Sequence, residues 1–382
     1  SELMNVKQTA RFLLDVRDDN RKRPVLSAGE VSYANWWSMN PEDYWFTRFV
    51  RHHFPEYAGK QDESLKPIRF YSVFGPGRTS GERFDGGKIF FSGENLEEYV
   101  KYNRLPVREV SDRVWHVRKR KFDHYGLRDV GLSMGFPYPE RISEIAKADG
   151  FSVINEEPAK DGMKDGVVRF RKGEKEISYL RFPLWIQYLF EPEDGPEEIG
   201  RRIEMINQTV NPVSCRGTAC IASHDFYGTR QVICDDLEKN GIPVQYPGKW
   251  RHNTEVLKNQ YGDDKLAYLQ SVRFNICPEN TDTPGYVTEK LFDAFRTGVI
   301  PIYHGSCNDP EPGLICRDSV LFWDYQGDNS KTIQEIRRLS ENNRVYEEFI
   351  HQKKLSEECV PYVWNRMVSL RKEIERILSR CS

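Results

Sequence analysis

Residues 272–303 place the strongest constraint on the fold. Val272 to Cys277 is an apolar run of strand length, and Tyr286 to Thr297 repeats apolar side chains at Val287, Leu291, Ala294 and Phe295, the spacing of a helix. Gly298 stops that helix, and Val299-Ile-Pro-Ile-Tyr303 follows as the next strand. Strand, helix and strand in succession form a parallel sheet, whose ligands lie at the carboxyl ends of the strands. The loop Pro278 to Gly285 is therefore expected to carry a site, and the fold class is expected to be α/β.

A chain of 382 residues exceeds one hydrophobic core, so two domains are expected. Phe190 to Gly200 combines turn formers with acids directly after the apolar run Phe182 to Phe190, which sets the boundary near residue 190. The expected organisation is residues 1–190, residues 191–355 and a C-terminal amphipathic helix, 356–382, packed on the body. That helix shows Val363, Met367, Leu370, Ile374 and Leu378 among charges. In the first part, Ile68 to Phe74 and Lys88 to Phe91 read as short strands of another α/β domain.

With 56 Lys and Arg against 58 Asp and Glu, no overall field draws the chain to nucleic acid. No stretch reaches the roughly 18 consecutive apolar residues of a membrane span. Charges at Lys7, Arg11, Asp15 and Arg17 argue against a secretory signal, and all eight cysteines lie between Cys215 and Cys381. Reduced thiols and a cytoplasmic location are the simpler expectation. Cys215, Cys220, His224 and Cys234 match no common zinc spacing and read as ordinary buried groups. The basic run Arg118 to Lys121 reads as a solvated loop, with contact to an acceptor or, peripherally, to a membrane surface as the alternative.

The helix start after the loop, Tyr286-Val-Thr-Glu-Lys290, presents unpaired N–H groups and a positive dipole, and Lys290 adds a full charge. A lone lysine in a first turn opposes the dipole, which suggests an anion to neutralise. Glu289 and Asn280 can bind sugar hydroxyls. From these residues alone, a sugar-phosphate site and a plain capped helix both remain open. Trp36, Trp37, Tyr44, Trp45 and Phe46 read first as core, with stacking on sugars as the alternative.

The segment FNICPENTDTPGYVTEKLFDAFRTGVIPIYHGS, Phe274 to Ser306, resembles the signature of the α-1,3/4-fucosyltransferases of glycosyltransferase family 10, especially the bacterial members. KIFFSGEN, Lys88 to Asn95, and YLRFPLWIQYLF, Tyr179 to Phe190, agree with it. The chain departs from the family in having Pro278 where Phe is usual and in a longer stretch from Glu97 to Leu127. The resemblance implies a GT-B architecture, two Rossmann-like domains with parallel sheets facing across a cleft. The first would bind an oligosaccharide acceptor and the second GDP-fucose. By motif, Arg230, Asn280, Tyr286, Glu289 and Lys290 would bind the donor, and Glu94 would be the general base.

The implied reaction is an inverting transfer of L-fucose to a GlcNAc or Glc hydroxyl of an N-acetyllactosamine-type glycan. No Asp-x-Asp occurs, so no metal or other cofactor is expected to be required, although divalent ions would modestly aid product release. Another GT-B transferase with a different nucleotide sugar and a non-catalytic glycan-binding relative are the rival readings. A nicotinamide enzyme is disfavoured, since no Gly-x-Gly-x-x-Gly follows a strand.

Overall fold

The computed structural model describes residues 6–102, 109–156 and 166–380. These divide into two compact units: residues 6–97, 109–156, 166–196 and 361–380 form the first, and 98–102 with 197–360 form the second.

The first unit is built on an eight-stranded sheet. Its strands are β1 (Leu26–Ala28), β2 (Val31–Ala34), β3 (Ile68–Tyr71), β4 (Gly87–Phe91), β5 (Leu132–Gly135), β6 (Ser152–Glu156), β7 (Val168–Lys172) and β8 (Lys175–Arg181). They lie in the order β1-β2-β3-β4-β5-β8-β7-β6, parallel from β2 through β8, with β1, β7 and β6 antiparallel to their neighbours. Ile89, Phe90 and Phe91 are all buried, as a parallel strand covered on both faces requires. The last helix, Cys359–Arg380, returns its residues from 361 onward to this unit. There Tyr362 accepts from Arg181 at 2.6 Å and Glu373 from Arg169 at 3.0 Å.

The second unit carries five parallel strands: β9 (Thr218–Ala219), β10 (Val244–Gln245), β11 (Phe274–Ile276), β12 (Ile300–Tyr303) and β13 (Leu321–Phe322), in the order β10-β9-β11-β12-β13. Pro301 lies inside β12, an interior strand, where a proline would normally leave a gap in the ladder. The Ile300 N–H and the Ile302 carbonyl both bond toward β11, so the Pro301 nitrogen faces the other side, where pairing with β13 begins only at Ile302. The missing donor thus falls ahead of the paired residues.

The basic run is not a solvated loop. Arg118 to Lys121 closes the helix Glu109–Phe122, where cations at the carboxyl end complement the dipole. Arg118 donates to Asp19 at 2.8 Å, and Lys121 lies 3.1 Å from the same carboxylate. Cys215, Cys220 and Cys234 are buried free thiols, and His224 stacks on Phe226.

Candidate active site

In the second unit, β11 ends at Ile276 and the helix Glu289–Thr297 begins after a loop whose shape is set by Glu279. This carboxylate is 1% exposed. It accepts from the Thr288 hydroxyl at 2.6 Å, the Thr288 amide at 2.8 Å and the Tyr303 hydroxyl at 2.9 Å. Its own amide donates to the His304 carbonyl at 2.8 Å, so one residue ties the loop to the helix start and to the end of β12. Burial pushes the Glu279 carboxyl above its ordinary value, with Lys290 and Thr288 opposing.

Thr288 is the N-cap, and the Lys290 ammonium lies 3.3 Å from its hydroxyl and 3.7 Å from Glu279. Arg230 stands in the first turn of the helix Thr229–Lys239, whose amides at Arg230 and Gln231 are held by Asp225 at 3.2 and 2.8 Å. The Arg230 guanidinium donates to the Asn280 side chain at 3.3 Å. Burial raises the Cys277 thiol and the charge of Glu279 adds to this, while Lys290 and Arg230 both oppose it. Two cations from different helices therefore act on one thiol at the end of β11. Tyr286 is buried in the loop, its amide on the Thr283 carbonyl, and Glu289 is half-buried in the first turn, where its charge is felt at Glu279. The structure thus gathers Arg230 with Asn280, and Lys290 with Glu279, at the carboxyl end of the strands.

Glu279 lies within the sequence motif but has no role legible there; its place directly after a buried strand is the available signal. Asp282 and His304 are likewise unmarked in the sequence. Asp282 accepts from Tyr102 at 2.7 Å and from the Cys307 amide at 2.7 Å, and His304 Nε2 lies 3.3 Å away. Burial pushes the Asp282 carboxyl up, but these partners outweigh it and leave the group below its ordinary value. The Trp323 carbonyl 2.9 Å from His304 Nδ1 places a proton on that nitrogen. Val100 donates to the Asp282 carbonyl at 2.8 Å, so residues 98–102 lie along the loop. No sequence signal announced this contact.

In the first unit, Glu94 follows the carboxyl end of β4, with its amide on Ser92 Oγ at 3.1 Å and its carboxylate 3.4 Å from Arg118. Its side chain is 41% exposed and lines a cavity of about 530 Å³ together with Trp37, Tyr44, Trp45, Arg48 and Tyr188. Trp36 and Phe46 belong to the core, whereas Trp37 and Tyr44 meet edge-to-face at 5.5 Å on the cavity wall. The aromatic cluster is thus mostly packed, with the half-buried Trp37 and Tyr44 also reaching the cavity wall.

Residues 215–378 match the family described as Glycosyltransferase family 10 (fucosyltransferase) C-term. Alpha-(1,3)-fucosyltransferase B of Drosophila melanogaster is 31% identical over 139 residues, 34% of this chain and 30% of that protein. Alpha-(1,3)-fucosyltransferase FucT of Helicobacter pylori is 51% identical over 104 residues, 27% of this chain and 20% of that protein. The matched region thus spans less than a third of these curated relatives. A solved structure described as alpha1,3-Fucosyltransferase with GDP-fucose aligns over 91% of this chain and 89% of its own, at 18% identity and a TM-score of 0.43. No described helix is long and apolar enough to cross a membrane.

Proposed function

We propose that this chain is an inverting α-1,3/4-fucosyltransferase of the bacterial type, moving L-fucose from GDP-fucose to a GlcNAc or Glc hydroxyl of an N-acetyllactosamine-type glycan. The observation that carries this reading is the pairing of Arg230 with Asn280 beside the Lys290-bearing helix start. Both helices present N-terminal turns, and each contributes a cation. Negative charge grows on the β-phosphate oxygen as the C1–O bond breaks, and such a cradle stabilises it without reorganising. The matched family segment contains all of these residues. The identity to the Helicobacter pylori relative supports the bacterial assignment.

In this reading, the acceptor enters the cavity beside Glu94, with Trp37 and Tyr44 as stacking faces. The acceptor hydroxyl attacks C1 of fucose in line with the departing GDP, and Glu94 takes its proton. Arg118 holds the Glu94 carboxylate while being anchored itself on Asp19. Arg230 and Lys290 take the part that a divalent ion plays in other transferases, so a metal is not required. Seven free thiols among the described residues support a cytoplasmic location.

Calorimetric titration with GDP tests the donor assignment. The wild type should bind GDP, and Lys290→Ala and Arg230→Ala should each weaken it by about 1.5 to 3 kcal/mol, the range for a hydrogen bond to a charged group. Equal GDP affinity in all three proteins would overturn the assignment, and tight binding of UDP in place of GDP would favour a different nucleotide-sugar donor.

A further inference from the structure

At the amino ends of the strands of the first sheet, a cavity of about 240 Å³ opens where β4, β5 and β8 begin. Lys88 enters it from the start of β4, Asp129 to Gly131 precede β5, and Lys175 to Ser178 form the first half of β8. Six positions along β4 and beyond separate Lys88 from Glu94, roughly 15 to 20 Å at strand rise. The end of the C-terminal helix closes the cavity. A Cβ on Gly87 or Gly131 would stand 2.8 or 3.1 Å from Ile377, so these two glycines let the helix lie against the sheet and bring Arg376 and Arg380 to the rim.

The charges around this cavity do not balance. Its two acids are already engaged: Asp129 with Arg78 at 2.9 Å and Ser80 at 3.1 Å, and Glu176 with Arg171 at 2.5 Å and with Arg380. Lys88 donates to the carbonyls of Ser80 and Glu82. Arg376 has a long 3.5 Å bond to Ser178 Oγ and stands 4.0 Å from Glu373, which Arg169 already holds. Burial pushes the Lys175 ammonium down to about 8, with Asp129 opposing and Lys88 and Arg78 adding to the shift. Lys88 and Arg376 are lowered as well, again chiefly by burial. Three cations around one cavity are thus each disfavoured in their charged form, a condition that a bound anion relieves.

We propose that this cavity is a second anion site, taking a small phosphate-type dianion between Lys175 and Arg376 and thereby tying the C-terminal helix to the amino ends of the strands. It is smaller than the about 300 to 1,000 Å³ of sites for larger organic ligands, which suits inorganic phosphate or a compact phosphate monoester rather than a nucleotide. The proposal is independent of the donor assignment, since no residue is shared.

The test is calorimetric titration of the full chain with inorganic phosphate and, separately, with glycerol 3-phosphate at matched ionic strength. Wild type, Lys175→Met, Arg376→Gln and Lys290→Ala are compared. One phosphate-type ligand should bind to the wild type and to Lys290→Ala, and bind at least tenfold more weakly to Lys175→Met and Arg376→Gln. The tighter titrant identifies whether the free ion or a monoester is the ligand. Two variants on different elements guard against a local loss of fold, which circular dichroism checks. No binding by the wild type, unchanged affinity in both cavity variants, or loss confined to Lys290→Ala would overturn the proposal.

Discussion

Arg118 sits between two carboxylates, 2.8 Å from Asp19 and 3.4 Å from Glu94. Asp19 is nearly buried and fixes the guanidinium, while Glu94 is open to the cavity and free to meet a hydroxyl. A sugar hydroxyl is a poor nucleophile, and partial proton removal contributes about 10² to 10⁴ in rate. Glu94→Gln keeps the shape and removes the base. It should lower kcat by that order in a steady-state assay while GDP affinity stays unchanged, because the GDP contacts proposed above lie on other residues. Retention of more than about a tenth of kcat would exclude the role. The candidate base could be named only through the resemblance, since a glutamate after a strand has no distinguishing pattern of its own. Its partner Arg118 lies 24 positions on, in a run that composition alone presents as solvated.

At the scale of elements, the helix Glu289–Thr297 depends on both of its ends. Thr288 caps its start and donates to buried Glu279, and Gly298 ends it at φ 82°, with a Cβ there only 3.0 Å from the Asn211 amide. Thr288→Ala removes a cap and leaves Glu279 short of a donor, so urea denaturation should show a loss of about 1 to 3 kcal/mol. Thr288→Ser should recover most of it. A Thr288→Ala protein as stable as the wild type would mean that Glu279 finds another partner. The strand, loop, helix and second strand here were legible because their signals are local: apolar period, cap and stop. Their bounds shortened in the structure, to Phe274–Ile276 and Glu289–Thr297, because the flanking residues turn to build the site. The helix Glu109–Phe122 was not legible, since its basic last turn obscures the period. Nor was the contact of Tyr102 with Asp282, which joins residues 180 positions apart.

At the scale of the whole molecule, the α/β class follows from apolar strands that alternate with helices, and both sheets bear it out. The return of residues 361–380 to the first unit was not legible, because an amphipathic helix shows that it packs and not on what. Arg181 with Tyr362 and Arg169 with Glu373 settle the choice through partners that are individually unremarkable in sequence. Each unit places its candidate residues at the carboxyl ends of parallel strands, Glu94 after β4 in the first and Asn280 after β11 in the second. The proposed fucosyl transfer relies on side-chain cations alone. The most direct measurement is the initial rate of labelled fucose transfer from GDP-fucose to an N-acetyllactosamine acceptor, with and without EDTA. Transfer is expected in both, with less than about a tenfold difference, or roughly 1.4 kcal/mol in the barrier. No transfer from GDP-fucose, or a larger loss with EDTA, would contradict it.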